Sequence, residues 1–287
     1  MGNKGVEMIA TSYPPPVDKL LTLGDARNSI AHWPNYLALG LGPEHIPDLI
    51  RMATDEKLNM ADSNSLQVWA PIHAWRALGQ LRAESAVEPL LGLLHRIDDD
   101  QDDWVGEEIP EVMGMIGPAA IPALEAYLAD SSHGLWARVA ASASLSEIGL
   151  RHPSSRAECV AALTRQLERY EENDEVINAD VIAALIKLKA VEAAPVMERA
   201  FAARRVDNSV SGDWEDVQIE MGLRQTRETP QPNYLANKFG LDAGKLEALS
   251  QRIRIVAPES QPKRKAKKRD KRKQQEPCSK KSRKKQG

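Results

Sequence analysis

The sequence predicts an all-α fold, an α-solenoid in which about five helix pairs build a right-handed superhelix ahead of a disordered C-terminal tail. Three observations carry that expectation. The phrase Gly42-Pro43-Glu44-His45-Ile46-Pro47-Asp48-Leu49, closing at Asp55, returns 75 positions later as Gly117-Pro118-Ala119-Ala120-Ile121-Pro122-Ala123-Leu124, closing at Asp130. Pairs of apolar anchors spaced i, i+3 recur along the chain, each pair lying on one helix face. No Asn-Gly or Asp-Gly turn stands between alternating apolar runs, so hairpins find no support.

In chain order, residues 1–33 form an irregular lead-in with a run of three prolines at Pro14-Pro15-Pro16 and a short helix over Val17 to Leu23, stopped by Gly24. Residues 34–223 hold the repeat array. Its A helices are anchored by Ala38/Leu41, Leu78/Leu81, Met113/Ile116, Leu145/Ile148 and Leu185/Leu188. Its B helices are anchored by Ile46/Leu49, Val87/Leu90, Ile121/Leu124, Val160/Leu163 and Ala193/Val196. Successive B anchors lie 41, 34, 39 and 33 residues apart, the length that two helices of about 12 residues and two short loops require.

Gly42-Pro43 and Gly117-Pro118 end one helix and open the next, because Gly accepts left-handed geometry and Pro is preorganised for a helix start. The second proline of each phrase would delete an internal hydrogen bond if the helix began at the first, so the B helices are expected to start near Pro47 and Pro122. Fifteen residues separate Leu145 from Val160, and the surplus around Leu150 to Ser155 is expected to protrude as a loop. Residues 224–257 give a polar connection and a last helix over Asp242 to Ile255 that caps the array. Residues 258–287 read as disordered on composition.

Phrases such as His73-Ala74-Trp75-Arg76-Ala77-Leu78-Gly79 and Ala120-Ile121-Pro122-Ala123-Leu124 resemble the HEAT repeat. The nearest likeness is the short bacterial type named after phycobilisome lyases, in members whose array ends in a lysine-rich tail. The likeness covers about residues 34–223 and is specific for fold rather than function. Repeats of this type occur in bilin lyases, a diiron hydroxylase, DNA glycosylases and plain scaffolds. The diiron enzymes use repeated His-Glu dipeptides, which are absent here, and Glu44-His45 runs in the opposite order.

Charge is divided along the chain. Residues 263–285 carry 14 Lys/Arg against Asp270 and Glu276, leaving 24 basic and 39 acidic residues in 1–261, a net charge of −15. The cations are Lys263, Arg264, Lys265, Lys267, Lys268, Arg269, Lys271, Arg272, Lys273, Lys280, Lys281, Arg283, Lys284 and Lys285. Such a segment binds polyanions by counterion release without sequence preference, and the lack of interleaved aromatics leaves out base stacking. The same run also suits a solubility tail, or one that folds back on its own acidic body. Pro277-Cys278 before lysines resembles the end of the SEC-C zinc motif, but that motif needs four ligands, and no metal is expected.

The two cysteines, Cys159 and Cys278, make no disulfide framework, so a reducing cytoplasm is the expected location. No stretch approaches 18 apolar residues, and no membrane association is expected.

Tryptophans give the most informative constellation. Trp69, Trp104, Trp136 and Trp214 each precede an apolar anchor (Leu78, Met113, Leu145, Leu223) by nine positions, which places them in equal phase near the starts of successive A helices. Such a column suits an interaction surface; the same phase suits indoles packed beneath the inter-repeat loops. Trp75, inside an Ala/Leu-rich helix, reads as core. The run Asp98-Asp99-Asp100-Gln101-Asp102-Asp103 reads as a solvated loop placing negative charge at a helix start. With Trp104 it can also form an acidic-aromatic surface for a basic partner, and Asp100, Asp102 and Asp103 are its candidate residues. The six histidines show no i, i+3 or i, i+4 pairing, and Cys159 reads as a small buried hydrophobe.

No catalytic or cofactor-binding residues emerge. The expected function is a non-enzymatic, monomeric protein-interaction scaffold with a tail for nucleic acid or another polyanion. The alternative, implied by the resemblance alone, is a bilin lyase or chaperone-like relative acting on a tetrapyrrole-carrying protein. A DNA glycosylase ranks last, since an array this acidic repels phosphate.

Overall fold

The structure, a computed structural model, describes residues 12–30 and 32–234. Helices follow one another throughout, and no strand occurs among the described residues. The α-helices are α1 (Ile46–Ala53), α2 (Glu56–Asn59), α3 (Ala70–Gln80), α4 (Val87–Leu91), α5 (His95–Asp99), α6 (Asp103–Ile116) and α7 (Ile121–Ala129). They continue as α8 (Leu135–Arg151), α9 (Arg156–Glu168), α10 (Glu175–Lys187), α11 (Ala194–Ala202), α12 (Asn208–Ser211) and α13 (Trp214–Glu220). Helix α3 packs on α6, α6 on α8 and α8 on α10; α4 meets α7, α7 meets α9 and α9 meets α11.

The proline phrases set the helix starts. Pro43–His45 and Pro118–Ala120 each form one 3-10 turn, after which α1 and α7 begin with Pro47 and Pro122 as their second residues. A proline in the first turn lacks only an N–H that has no intrahelical partner there, so neither costs a hydrogen bond. The anchors Leu78, Met113, Leu145 and Leu185, with Leu49, Leu90, Leu124 and Leu163, are all buried. Each fully buried aliphatic side chain contributes about 1.5–3 kcal/mol.

Close approach between successive helices rests on a second recurrence. Gly79, Gly114 and Gly149 follow one another every 35 residues. A Cβ on Gly79 would meet Met115 Sδ at 3.2 Å, one on Gly114 would meet Glu147 Cβ at 2.8 Å, and one on Gly149 would meet Leu188 Cδ2 at 2.7 Å. The missing side chains let α3 reach α6, α6 reach α8, and α8 reach the end of α10. Helix axes approach more closely when the residue at the contact is small.

Two expectations need correction. The first A helix, anchored by Ala38/Leu41, is a single 3-10 turn, Tyr36–Leu39, stopped by Gly40 at φ +93°. Gly40, in left-handed geometry, ends the segment after this one turn. The surplus at Leu150 to Ser155 does not protrude as a loop. Nothing breaks α8 before His152-Pro153, so the helix runs 17 residues to Arg151, and a 3-10 turn, Pro153–Ser155, leads straight into α9. The residue before a proline avoids helical geometry, which sets the stop.

The lead-in helix is a 3-10 helix, Val17–Thr22, and Tyr13, Val17, Leu20 and Ala26 join the common core. At the other end, residues 224–231 bind α13: Arg224 pairs with Glu215 at 2.7 Å, and Arg227 with Asp213 at 2.7 Å and with Asp216. The expected capping helix and the basic tail lie outside the described residues.

Candidate functional site: tryptophan-lined grooves

The site begins from a buried support. Arg76, on α3, is fully enclosed and pairs with Glu108, on α6; its Nε donates to Glu108 Oε2 at 2.8 Å, and Trp75 Nε1 donates to the same oxygen at 2.9 Å. Burial opposes the Arg76 charge, and the hydrogen bond and field of Glu108 outweigh it, holding the guanidinium above its ordinary range. Trp33 and Trp104 lie 5.1 and 6.0 Å from the guanidinium carbon, so ring faces complete its surroundings.

Tyr36 and His73 extend the cluster at 2.7 Å, with His73 Nε2 2.9 Å from the Gly24 carbonyl. Burial lowers the His73 pKa, so the neutral ring donates from Nε2 to Gly24, and Nδ1 accepts from Tyr36. Burial pushes Tyr36 up to about 12. The sequence reading placed Trp75 in the core, where it lies, and missed the Arg76–Glu108 pair, 32 residues apart.

The four equal-phase tryptophans all stand partly exposed, and each lines a cavity or groove. Trp69 and Trp104 meet edge to face, with centroids 5.7 Å apart and planes at 78°. With Trp75 they wall a cavity of about 220 Å³. Trp214 leans on Phe201 at 5.8 Å and lines a groove of about 700 Å³. Trp136 is the most exposed of the six, at 51%. It lines a groove of about 720 Å³ with Ile97, Asp98, Gln101, Asp103 and Gly106. Of the four, the structure brings Trp69 and Trp104 into contact; Trp136 and Trp214 serve separate grooves.

The acidic run divides its work. Asp102 caps α6 by accepting from Val105 N at 3.2 Å, and Arg96 binds its other oxygen at 2.7 Å. Asp98 reaches across to cap α8, accepting from Trp136 N at 3.0 Å and Ala137 N at 2.9 Å. Gly134 makes room for it, since a Cβ there would fall 2.2 Å from Asp98 Oδ2. Asp100 and Asp103 are exposed, Asp100 lying 3.9 Å from Arg96. The Trp136 groove thus has a fixed floor and a free carboxylate at its rim. Pro110, inside α6, has no N–H to donate to the Gly106 carbonyl one turn earlier.

His133 stacks on Tyr127 at 3.7 Å, and His152 Nε2 lies 3.0 Å from the Gly114 carbonyl. Cys159 is buried, and burial pushes its thiol up to about 11. No group of three metal-ligating side chains gathers among the described residues. No single helix there is long and apolar enough to cross a membrane. The cationic residues of 263–285 lie outside the described part.

Comparison with known proteins returns nothing: no family model, no curated protein and no solved structure matches the chain.

Proposed function

We propose that the chain is a HEAT-type α-solenoid acting as a non-enzymatic interaction scaffold, whose tryptophan-marked grooves take segments of a basic protein partner. Support for the solenoid comes from glycines at a 35-residue interval in successive helix crossings, and from the packing of α3, α6, α8 and α10 in sequence. The observation that carries the binding reading is the Trp136 groove. A half-exposed indole and the exposed Asp103 carboxylate line the same groove. Indole faces and carboxylates are what lysine and arginine side chains require. The net charge of −15 over 1–261 draws such a partner in.

Affinity capture with the full chain at low salt, followed by mass spectrometry, tests this when run beside Trp136→Ala and Asp103→Asn. Partners should be basic and lost from both variants. Capture unchanged in both would remove the reading.

The tail is a second contact, for polyanions. Deleting residues 262–287 should leave helicity and melting unchanged while removing salt-sensitive binding to RNA or DNA. Equal RNA binding by the truncated chain would contradict it.

A further inference from the structure

The cavity between α3 and α6 has chemistry that the groove reading does not use. Trp69 and Trp104, both partly exposed, form two walls at 78°; Trp75 also borders the cavity but is itself only 1% exposed. Trp75 is held in place by its hydrogen bond to Glu108, and Trp104 is fixed as the second residue of α6 beside its Asp102 cap. Asn59, Ser63 and Asp102 supply the few polar groups, and the remaining lining is aliphatic.

These indoles already attract cations. The Arg27 guanidinium carbon lies 5.0 Å from the Trp69 ring centroid, and that of Arg76 lies 6.0 Å from Trp104. Neither arginine is among the residues that line the cavity.

We propose that this cavity is an aromatic cage for a quaternary ammonium group, such as a choline-type head group or a trimethylated lysine side chain. The choice follows from hydration. A primary ammonium carries three N–H donors and a tight water shell, which a cavity walled mainly by indole and aliphatic groups replaces poorly. A trimethylammonium group has no donor to satisfy, sheds water readily and spreads its charge over methyl groups that meet the ring faces. Asp102 already shares its charge with Arg96, so the ring faces, not a free carboxylate, provide the recognition. At about 220 Å³ the cavity is smaller than the several hundred cubic ångströms usual for whole small-molecule ligands, so it takes a head group and leaves the rest of the ligand outside.

The experiment titrates the full chain with choline, with a trimethyl-lysine peptide, and with the same peptide unmethylated. A fourth titration uses 3,3-dimethyl-1-butanol, the uncharged isostere of choline. Tryptophan fluorescence and calorimetry report binding. Saturable binding of choline, the methylated peptide or both is expected, and which of them binds distinguishes a free small molecule from a protein side chain. The uncharged isostere and the unmethylated peptide should bind about five- to tenfold more weakly. Trp104→Leu should lose at least about tenfold. Trp104→Phe, which keeps an aromatic wall in case the leucine variant fails to fold, should lose less, and Trp136→Ala should bind as the parent does. Equal binding of choline and its isostere, preference for unmethylated lysine, or no saturable signal from either cation would overturn the cage.

Discussion

Two buried polar clusters hold the chain, and they are built from opposite chemistry. Toward the N-terminus, Arg76 and Glu108 form an enclosed ion pair ringed by Trp33, Trp75 and Trp104. Toward the C-terminus, neutral amides do the joining. Gln166 donates to Asn173 at 2.7 Å, Asn173 donates to Asn178 at 2.9 Å, and Asn178 donates to the carbonyls of Tyr170 and Arg205 at 2.9 and 2.7 Å. The amide cluster ties the α9–α10 turn to the segment after α11. The ionic cluster needs large flat rings around a guanidinium, and those rings leave a cavity beside them. The costliest polar group thus sits beside a small aromatic-lined cavity, whereas the C-terminal part carries the wider Trp214 groove.

The largest effect should come from splitting the ion pair. Glu108→Leu leaves Arg76 buried and unpaired, and a loss of about 3–5 kcal/mol in urea unfolding is expected. The double change Arg76→Met with Glu108→Leu should be less damaging than Glu108→Leu alone, because no orphan charge remains. A double variant as unstable as the sum of the two single changes would show that the two residues act independently. In the amide cluster no charge is stranded, so Asn178→Ala should cost less, about 2–3 kcal/mol for its lost hydrogen bonds. If it matched Glu108→Leu, the contrast between the clusters would fail.

A smaller, pH-dependent effect lies on α10 near the amide cluster. Asp180 is raised to about 6, first by burial and then by the Asp207 charge. An acid whose folded pKa exceeds its unfolded value of about 3.9 stabilises the fold at low pH and loses that contribution as pH rises. The gain from Asp180→Asn should therefore be absent near pH 4, grow to about pH 6 and stay level above. Discounted for partial exposure, it is expected to reach about 1 kcal/mol, or about 2–4 °C in Tm. A gain that shrinks with rising pH would reverse the sign. Smallest of all, Trp136→Ala should change stability by less than about 1 kcal/mol, whereas Trp75→Ala should cost about 3–5. Equal losses at both positions would place Trp136 in the core.

Local chemistry was legible in the sequence. The double-proline phrases gave the starts of α1 and α7 because a proline's missing N–H is a property of one residue. The equal phase of Trp69, Trp104, Trp136 and Trp214 was visible, but their separate grooves were not, since a groove depends on which neighbours are small. Ala38 to Leu41 matched an i, i+3 pattern, yet Gly40 between them turns left-handed and ends the segment after one 3-10 turn. Arg76–Glu108 was invisible because pairing across 32 residues requires the packing of α3 on α6 to be known first. Gly79, Gly114 and Gly149 are readable as a period, but their role as contact points depends on which helix each one meets.

The most direct measurement is the affinity of the full chain for a lysine/arginine-rich peptide, taken by calorimetry beside Trp136→Ala. A basic segment seated in the Trp136 groove predicts binding that weakens with salt and falls about tenfold or more in the variant, at unchanged Tm. Equal affinity in parent and variant would contradict it, as would a neutral peptide of the same length binding as well.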